Sequence, residues 1–165
     1  MSSRLHERMR IRHRPEDVFE LVSDVRRYPQ FIKYLSALRV RIERTEGSMT
    51  HLEAEAVARY RFVTERFTTA VALDRDVLGV EVSLIEGPFR TLQNAWVFHR
   101  LGDGSTLVDF MIDFEFSNPL LQMLLAANKE RAVHFIIDAF RSEADKRYEM
   151  VGSEDYDWSA DRIAK

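Results

Sequence analysis

The chain has 165 residues, of which 45% are hydrophobic and 31% charged, and its formal net charge is −3. This length suits a single domain with a substantial core, and the slightly acidic balance argues against a general affinity for DNA. The sequence contains no cysteine, which excludes disulfides, cysteine-ligated zinc and a thiol nucleophile. No apolar run reaches membrane-spanning length and no N-terminal signal segment is visible, so we expect a cytoplasmic protein, at most peripheral at the inner face of the plasma membrane.

The first elements are a strand and two short helices. Residues 5–12 alternate with a period of two, which predicts a strand with a basic outer face. Pro15 suits the first turn of a helix, and an apolar stripe at helical spacing continues this helix to Val25. Tyr28-Pro29 ends it, and a second short helix is predicted over about residues 30–35.

Six further strands, joined by short turns, are predicted after these helices. Their ranges are about Leu38 to Arg44, Met49 to Tyr60, Thr64 to Leu73, Val77 to Ile85, Arg90 to Leu101 and Thr106 to Phe116. The last strand alternates most clearly, with apolar residues on one side and Asp109, Asp113 and Glu115 on the other. This pattern is typical of an antiparallel sheet with one buried face.

Asn118 and Pro119 open a long predicted helix, as its cap and its first residue. Its broad apolar face continues to about Tyr148 and needs a long partner surface, which the sheet provides. The sequence therefore predicts an α+β fold: a curved seven-stranded antiparallel sheet wrapped around a long C-terminal helix, enclosing an apolar cavity, with two short helices between strands 1 and 2. Residues 1–150 form this single domain, and 151–165 are predicted to be a disordered tail.

The residues that usually carry catalysis show no recognisable arrangement. The histidines are His6, His13, His51, His99 and His134. No two of them lie within four residues, so no paired-histidine metal motif is present, and we predict neither a metal site nor catalytic residues. His6 and His99 fall on outward strand positions and are expected to be solvated surface side chains.

Charged residues on the first and last strands have two interpretations. The three carboxylates of the last strand could form an acidic cluster. If the two strands are neighbours, however, we expect cross-strand ion pairs with Arg8, Arg10 and Arg12. The basic face of the first strand could instead contact anionic lipid or ribosomal RNA.

Three segments, in order and at matching spacing, resemble motifs of a known family. Residues 24–31 are similar to its "DVxxYPxF" junction, 86–98 to its "GPFxxLxNxWxF" hairpin and strand, and 113–121 to its "F-x-F-x-NPLL" entry to the final helix. Over about residues 5–148 the chain thus resembles the START-like helix-grip superfamily, and within it the polyketide cyclase-like branch of coenzyme Q-binding proteins. It departs from the family at Lys33, Tyr34 and Leu35, where Pro-Trp-Cys is common.

The resemblance implies binding of ubiquinone or a related polyisoprenoid lipid in the cavity, in support of respiratory electron transport, with no cofactor other than this bound ligand. Strand parity and helical spacing then select the candidate ligand-binding residues. They are Phe31, Tyr34, Leu35, Phe89, Leu92, Asn94, Trp96, Phe110, Phe114, Leu121, Leu124, Leu125 and Phe135. The alternative at each position is an ordinary filled core.

A carrier of this kind needs a mouth at the membrane surface. Arg26, Arg27 and Lys33 lie beside Phe31 and Tyr34, and cations next to aromatic rings suit lipid headgroups and the interface. We therefore predict membrane contact through these three cations. An amphipathic helix that merely closes the core is the alternative.

Two other functions stay open beside the leading hypothesis of a non-enzymatic carrier. A polyketide cyclase or aromatase would need inward polar groups, for which Asn94, Arg66, Tyr60 and Tyr34 are the candidates. The same superfamily also implies a ribosome-association toxin. The arginine-rich first strand favours that possibility, and the overall acidity opposes it.

Overall fold

A computed structural model describes residues 3–126 and 128–161; the side chains of Ser3, Leu121 and 124–126 lie outside this description. The chain begins with strand β1, Ser3–Ile11, followed by helix α1, Pro15–Ser23, and a 3₁₀ helix, Val25–Gln30. The other strands are β2 Leu35–Glu46, β3 Met49–Tyr60, β4 Val63–Asp74, β5 Gly79–Glu86, β6 Phe89–Arg100 and β7 Thr106–Phe116. Two helices follow, α2 Pro119–Ala126 and α3 Lys129–Arg147.

All seven strands form one antiparallel sheet in the order β1-β7-β6-β5-β4-β3-β2. Strands β2 to β7 make a meander, and β1 joins it by pairing with β7, with Arg8 opposite Asp109. Register shifts interrupt the β2–β3, β4–β5 and β6–β7 pairings, and such bulges increase bending and twist. The predicted sheet and fold class are confirmed.

The second predicted helix, over residues 30–35, was wrong in place and type. The structure has a 3₁₀ helix over Val25–Gln30 instead, and β2 already begins at Leu35. Pro29 lies inside this 3₁₀ helix and lacks the N–H that a continuing α-helix would need. The amide of Arg27 accordingly bonds the carbonyl of Asp24 with the shorter 3₁₀ spacing, at 3.2 Å.

The single long helix predicted from Pro119 to Tyr148 is divided in two. Asn128 has a non-helical backbone, φ −126° and ψ 16°, and serves as the N-cap of α3. Its carbonyl accepts the first bond of α3 from the Ala132 amide at 2.9 Å. The Asn128 side chain makes no capping hydrogen bond, so it is the backbone of Asn128 that marks the new start.

The core lies between the inner face of the sheet and the helices α1 and α3. Helix α3 contributes a stripe at helical spacing, namely Val133, Ile137, Phe140 and Ala144, all buried. At the centre the Trp96 ring meets Phe110 at a centroid distance of 4.7 Å and Phe140 at 5.1 Å. Trp96 therefore packs the sheet against α3.

Ion pairs across the outer face of β1 and β7 confirm part of the predicted ladder. Arg8 bonds Asp109 at 3.1 Å, and His6 bonds the same carboxylate. His6 is thus partnered, and the Nε2 of His99 lies 3.8 Å from Asp109 with only 19% of its side chain exposed. The prediction of a solvated surface side chain was therefore wrong for His99. Arg10 instead pairs with Asp103.

In residues 151–161, part of the segment predicted to be a disordered tail, the backbone is bound by Arg10 of β1 and by Arg12 just after it. The Arg10 guanidinium donates to the carbonyl of Ser153 at 2.6 Å, and Arg12 donates to that of Gly152 at 2.9 Å. The Val151 amide returns a bond to the Arg12 carbonyl at 2.9 Å. This segment therefore extends the fold beyond residue 150.

A buried histidine fastens the start of this segment. His13 is fully buried, and its Nε2 lies 2.7 Å from an oxygen of Asp145 while its Nδ1 lies 3.0 Å from the Glu149 carbonyl. The Thr106 hydroxyl donates to the His13 carbonyl at 2.6 Å. These bonds join the end of β1 to β7 and to the end of α3.

Asp103 should make the stability of the fold depend on pH, because it binds the C-terminal segment, residues 151–161, through Ser153. Burial by itself would raise its pKa, but hydrogen bonds from Ser105, the Ser153 amide and Arg10 outweigh that effect and hold the pKa well below the ordinary value. Because the pKa is lower in the folded state, ionised Asp103 stabilises the fold in full above about pH 4. This stabilisation is lost as the pH falls below that value. We expect Asp103→Asn to reduce the free energy of unfolding at pH 7 by about 1–3 kcal/mol, and by less at pH 3.

Urea unfolding at the two pH values measures this difference. Asp76→Asn, in an exposed turn, is the matched control and should change little. An equal loss for Asp103→Asn at both pH values would show that the carboxylate's charge is not what holds the segment.

Candidate ligand-binding wall

The inner face of the sheet divides into a closed half and an open half. Along β7 the inward residues Val108 and Phe110 are buried, whereas Ile112, Phe114 and Phe116 remain partly exposed. The same change occurs along β6, where Phe98 is buried under α1 and residues nearer the start of the strand are not. One end of the apolar inner face is therefore packed, and the other is still within reach of solvent.

The open half is a continuous apolar surface that we call the open wall. It consists of Leu35, Ala58, Phe67, Leu84, Phe89, Leu92, Phe114 and Phe116, all partly exposed. Its rings touch one another: Phe89 stacks on Phe116 at 4.8 Å and meets Phe67 edge-on at 5.6 Å. Such contiguous, incompletely covered apolar surface is typical of a site that receives an apolar ligand.

Gly87 allows this aromatic contact across β5. Its φ is +154°, and a Cβ added there would lie 2.5 Å from the Cβ of Phe67. Only glycine lets the β5–β6 hairpin come so close to β4, so that Phe67 and Phe89 can meet. The glycine of the GPF motif thus shapes the open wall.

An aromatic cluster borders the open wall at the start of β2. The Tyr34 ring contacts Tyr60 at 5.2 Å and Phe135 of α3 at 5.3 Å. The Arg59 amide donates to the Tyr34 carbonyl at 2.8 Å, which fixes the segment before β2 to the end of β3. All three rings are more than a third exposed, so this cluster forms a rim.

Asn94 has both polar groups of its side chain engaged. Its Nδ2 donates to the Met111 carbonyl at 2.8 Å, and its Oδ1 accepts a bond from the indole Nε1 of Trp96, also at 2.8 Å. The side chain therefore links β6 to β7 and fixes the indole. Asn94 therefore has a positioning role, and its amide is not free to bind a ligand.

The structure separates the predicted ligand-binding residues into groups. Leu35, Phe89, Leu92 and Phe114 lie on the open wall, Tyr34 and Phe135 at its rim, Asn94 between wall and core, and Phe31, Trp96 and Phe110 in the packed core. The side chains of Leu121, Leu124 and Leu125 lie outside the described part of the chain. The sequence thus selected the right face of the sheet but did not distinguish its two halves.

Phe31 shows why the distinction matters. Its ring meets Phe140 edge-on at 5.2 Å and Tyr28 at 5.9 Å, and the Arg147 guanidinium covers it at 5.5 Å. Tyr28 donates its hydroxyl proton to the Val22 carbonyl, and burial raises the pKa of that tyrosine. Phe31 is therefore part of the filled core, as in the alternative interpretation.

The cations predicted to touch a membrane have different surroundings. Arg26 pairs with Glu43 at 3.2 Å, and Arg27 pairs with Asp24 at 3.3 Å. Lys33 instead lies over the Tyr34 ring, 5.6 Å from its centroid. Only Lys33 of these three is therefore part of the rim.

Arg66 was wrong as an inward polar candidate. It is exposed and pairs with Val57, whereas the neighbouring pair, Phe67 with Ala56, faces inward. Successive side chains of a strand point to opposite faces. Phe67 was not among the ligand-binding residues predicted from the sequence. The strict alternation of β4 from Val71 back to Phe67 was the signal that could have placed it on the inner face.

A trough of about 420 Å³ lies on the outer face of the sheet. Its wall includes the small residues Ala72 and Ala95 together with the polar His51, Glu81 and Gln93. A second hollow, of about 470 Å³, lies beside Glu55 and Gly87. Polar walls leave an apolar chain in contact with water and polar groups, so the open wall is the better ligand surface.

Within residues 3–126 and 128–161, no cluster brings three or more histidine, aspartate or glutamate side chains together as metal ligands. Likewise, no helix within these ranges is both long and apolar enough to span a bilayer.

Residues 11–141 match the family model described as polyketide cyclase / dehydrase and lipid transport. The chain belongs to this family. Among its relatives is the ribosome association toxin RatA of Pseudomonas aeruginosa, 33% identical over 135 residues that cover 79% of this chain and 88% of that protein. The mitochondrial coenzyme Q-binding protein coq10 of Schizosaccharomyces pombe is 24% identical over 139 residues, covering 84% of each.

A solved structure supports the same family fold. The 18 kDa protein CC1736 of Caulobacter crescentus is 36% identical, with a TM-score of 0.73 over 87% of this chain and 97% of that one. The relatives of this chain are named for different activities, ribosome association in one and coenzyme Q binding in another. The fold does not decide among them.

The Asn94–Trp96 bond should contribute measurably to stability. We expect Asn94→Ala to lower the free energy of unfolding by about 1–3 kcal/mol, because it leaves the indole N–H and the Met111 carbonyl unpaired. Gln93→Ala, on the opposite face, is the control. In a Trp96→Phe background, where the N–H is absent, the cost of Asn94→Ala should be smaller; identical costs in both backgrounds would contradict the assignment. Urea unfolding of the four variants and the wild type measures this coupling.

Proposed function

We propose that the protein binds ubiquinone or a related polyisoprenoid lipid on the open wall and carries it, without catalysing a reaction. The open wall itself is the observation that supports this proposal. Aromatic and aliphatic side chains from six strands, β2 to β7, meet there without being fully covered. The description of the family includes lipid transport, and one relative is a coenzyme Q-binding protein.

The free energy of binding such a ligand suits transport. Removing one five-carbon isoprene unit from water is favourable by up to about 4 kcal/mol, so two or three units would hold the ligand firmly against water. A bilayer is just as apolar, and the net gain over the membrane is therefore small. A protein with this site would take up and release its ligand readily at a membrane.

The polar residues near the wall favour binding over catalysis. A cyclase needs an inward group that can give or take a proton. The amide of Asn94 is held by Trp96 and Met111, and Arg66 faces outward. The hydroxyl groups of Tyr34 and Tyr60 are at the rim, where they suit contact with a quinone ring.

Mass spectrometry of organic extracts tests the proposal directly. Protein purified from a quinone-producing bacterium should contain co-purifying ubiquinone or another polyisoprenoid, or should bind added quinone. Leu92→Asp places a carboxylate on the open wall and should reduce bound quinone at least tenfold, because burying an unpaired charge costs several kcal/mol. Gln93→Asp, the adjacent residue on the outer face, should bind normally.

Circular dichroism and urea unfolding would confirm that Leu92→Asp remains folded. If wild-type protein neither contains quinone nor binds it when added, the carrier function is wrong. Equal binding by both aspartate variants would remove the open wall as the site.

Ribosome association is a second candidate, motivated by the 33% identical toxin and by β2. Arg39 and Arg41 of this edge strand share a single carboxylate, Glu55, at 3.6 and 3.8 Å, and thus leave a net positive charge facing outward. The arginines of β1 no longer support this function, because Arg8 is paired with Asp109 and Arg10 with Asp103.

Sucrose-gradient sedimentation of lysates tests this second candidate. If the protein acts on ribosomes, overexpression should change the ratio of free subunits to assembled ribosomes. Replacing Arg39 and Arg41 by glutamine should abolish the change by removing phosphate contacts, and Arg26→Gln, at a paired surface arginine, should not. An unchanged gradient with wild-type protein would reject ribosome association.

A further inference from the structure

Exposed apolar side chains are concentrated at one end of the molecule. This end contains the start of β2, the end of β3, the β5–β6 turn and the start of α2. Seven of the ten large hydrophobic residues that are exposed in the described part of the chain lie there. We call this set the apolar end: Tyr34, Tyr60, Phe62, Ile85, Leu120, Met123 and Phe135. It adjoins the open wall through Tyr34 and Phe135.

Phe62 is the most exposed member, at 80%, and it lies at the tip of the β3–β4 hairpin. The two-residue turn consists of Arg61 and Phe62, and Arg61 has a positive φ of 55°. Such turns favour glycine or asparagine at positive φ and polar residues generally. An arginine in this conformation followed by an unburied phenylalanine contributes little to folding, and positions that break local rules in this way are candidates for an interaction site.

Cations surround these apolar side chains. Lys33 lies over the ring of Tyr34, and Arg61 lies 5.3 Å from the ring centroid of Tyr60. Arg59 and Arg66 flank the same hairpin and are exposed. Within the described ranges, none of these four cations has a carboxylate in ion-pairing distance. Arg66 lines a hollow together with Glu55, Glu65 and Glu86, so the free positive charge around the apolar tip is that of Lys33, Arg59 and Arg61.

We propose that the apolar end docks on an anionic phospholipid bilayer, with the side chain of Phe62 inserted and Lys33, Arg59 and Arg61 at the headgroups. Aromatic side chains with flanking cations suit a membrane interface. The inference deepens the proposed carrier function, on which it rests, because a ligand could pass from the bilayer to the open wall without crossing water.

The composition of the apolar end favours lipid over RNA. Single-stranded RNA binds through base stacking on exposed aromatic faces. Here Tyr34, Tyr60 and Phe135 already contact one another or a cation. The remaining exposed groups include Ile85, Leu120 and Met123, which are aliphatic or thioether side chains. These can enter hydrocarbon but offer no ring on which a base can stack. Among the described residues, Phe62 is the one ring of the apolar end without a partner ring or cation, and a single ring does not provide the series of stacking positions that RNA uses.

Vesicle sedimentation tests the docking surface. Wild-type protein should bind vesicles of phosphatidylcholine mixed with phosphatidylglycerol better than phosphatidylcholine alone. Phe62→Ser should weaken binding about tenfold, since a buried phenylalanine is worth more than one decade in affinity. Val77→Ser, at an exposed apolar position in the turn at the opposite end, is the matched control and should bind like the wild type.

The absence of cysteine from the sequence allows a second test that does not depend on loss of binding. Phe62→Cys and Val77→Cys each provide one site for an environment-sensitive fluorophore. Emission from the label at position 62 should shift to the blue when anionic vesicles are added, and emission from position 77 should not. Equal behaviour of the two labels, or loss of RNA-oligonucleotide binding rather than vesicle binding in Phe62→Ser, would overturn the proposal.

The two proposals fail separately. Phe62→Ser should lose vesicle binding but still bind quinone added in solution, whereas Leu92→Asp should lose quinone and still bind vesicles. Protein that docks on vesicles but never binds quinone would reject the carrier function and keep the docking surface. Protein that binds quinone with no preference for vesicles would reject docking alone.

Discussion

The packing of Trp96 between the sheet and α3 is the constraint on which the rest of the structure depends. The indole is held on one side by its bond to Asn94 and on the other by contacts with Phe110 and Phe140. A buried indole needs a partner for its N–H as well as apolar neighbours, and this site provides both. Once the indole is fixed, α3 can cover only the half of the inner face that surrounds it.

Stability and ligand binding are therefore assigned to different halves of one apolar surface. The closed half contains the buried residues of α1 and α3, and its rings pack against one another. The open half keeps its phenylalanines partly exposed, which costs stability because apolar surface remains in water. A ligand that covers Phe89, Leu92 and Phe114 would recover that free energy.

Much of the fold was predictable because antiparallel strands with one wet face have a period-two pattern, as in β7. The ends of elements that depend on tertiary contacts could not be predicted in this way. The break before α3 depends on the backbone of Asn128 inside an otherwise helical pattern, and the order of residues 151–161 depends on Arg10 and Arg12, far away in the sequence. The candidate site was predicted to the correct face, but whether α3 covers Phe110 or leaves Phe114 open is a matter of helix position, which periodicity does not encode.

The C-terminal segment lies at the β1 and β6–β7 end of the sheet, opposite the apolar end. Its acidic side chains, among them Glu154, Asp155 and Asp157, are thus separated along the long axis from Lys33 and the arginines of the β3–β4 hairpin. An anionic bilayer that meets the hairpin therefore lies far from these carboxylates, and at that distance salt screens most of their repulsion.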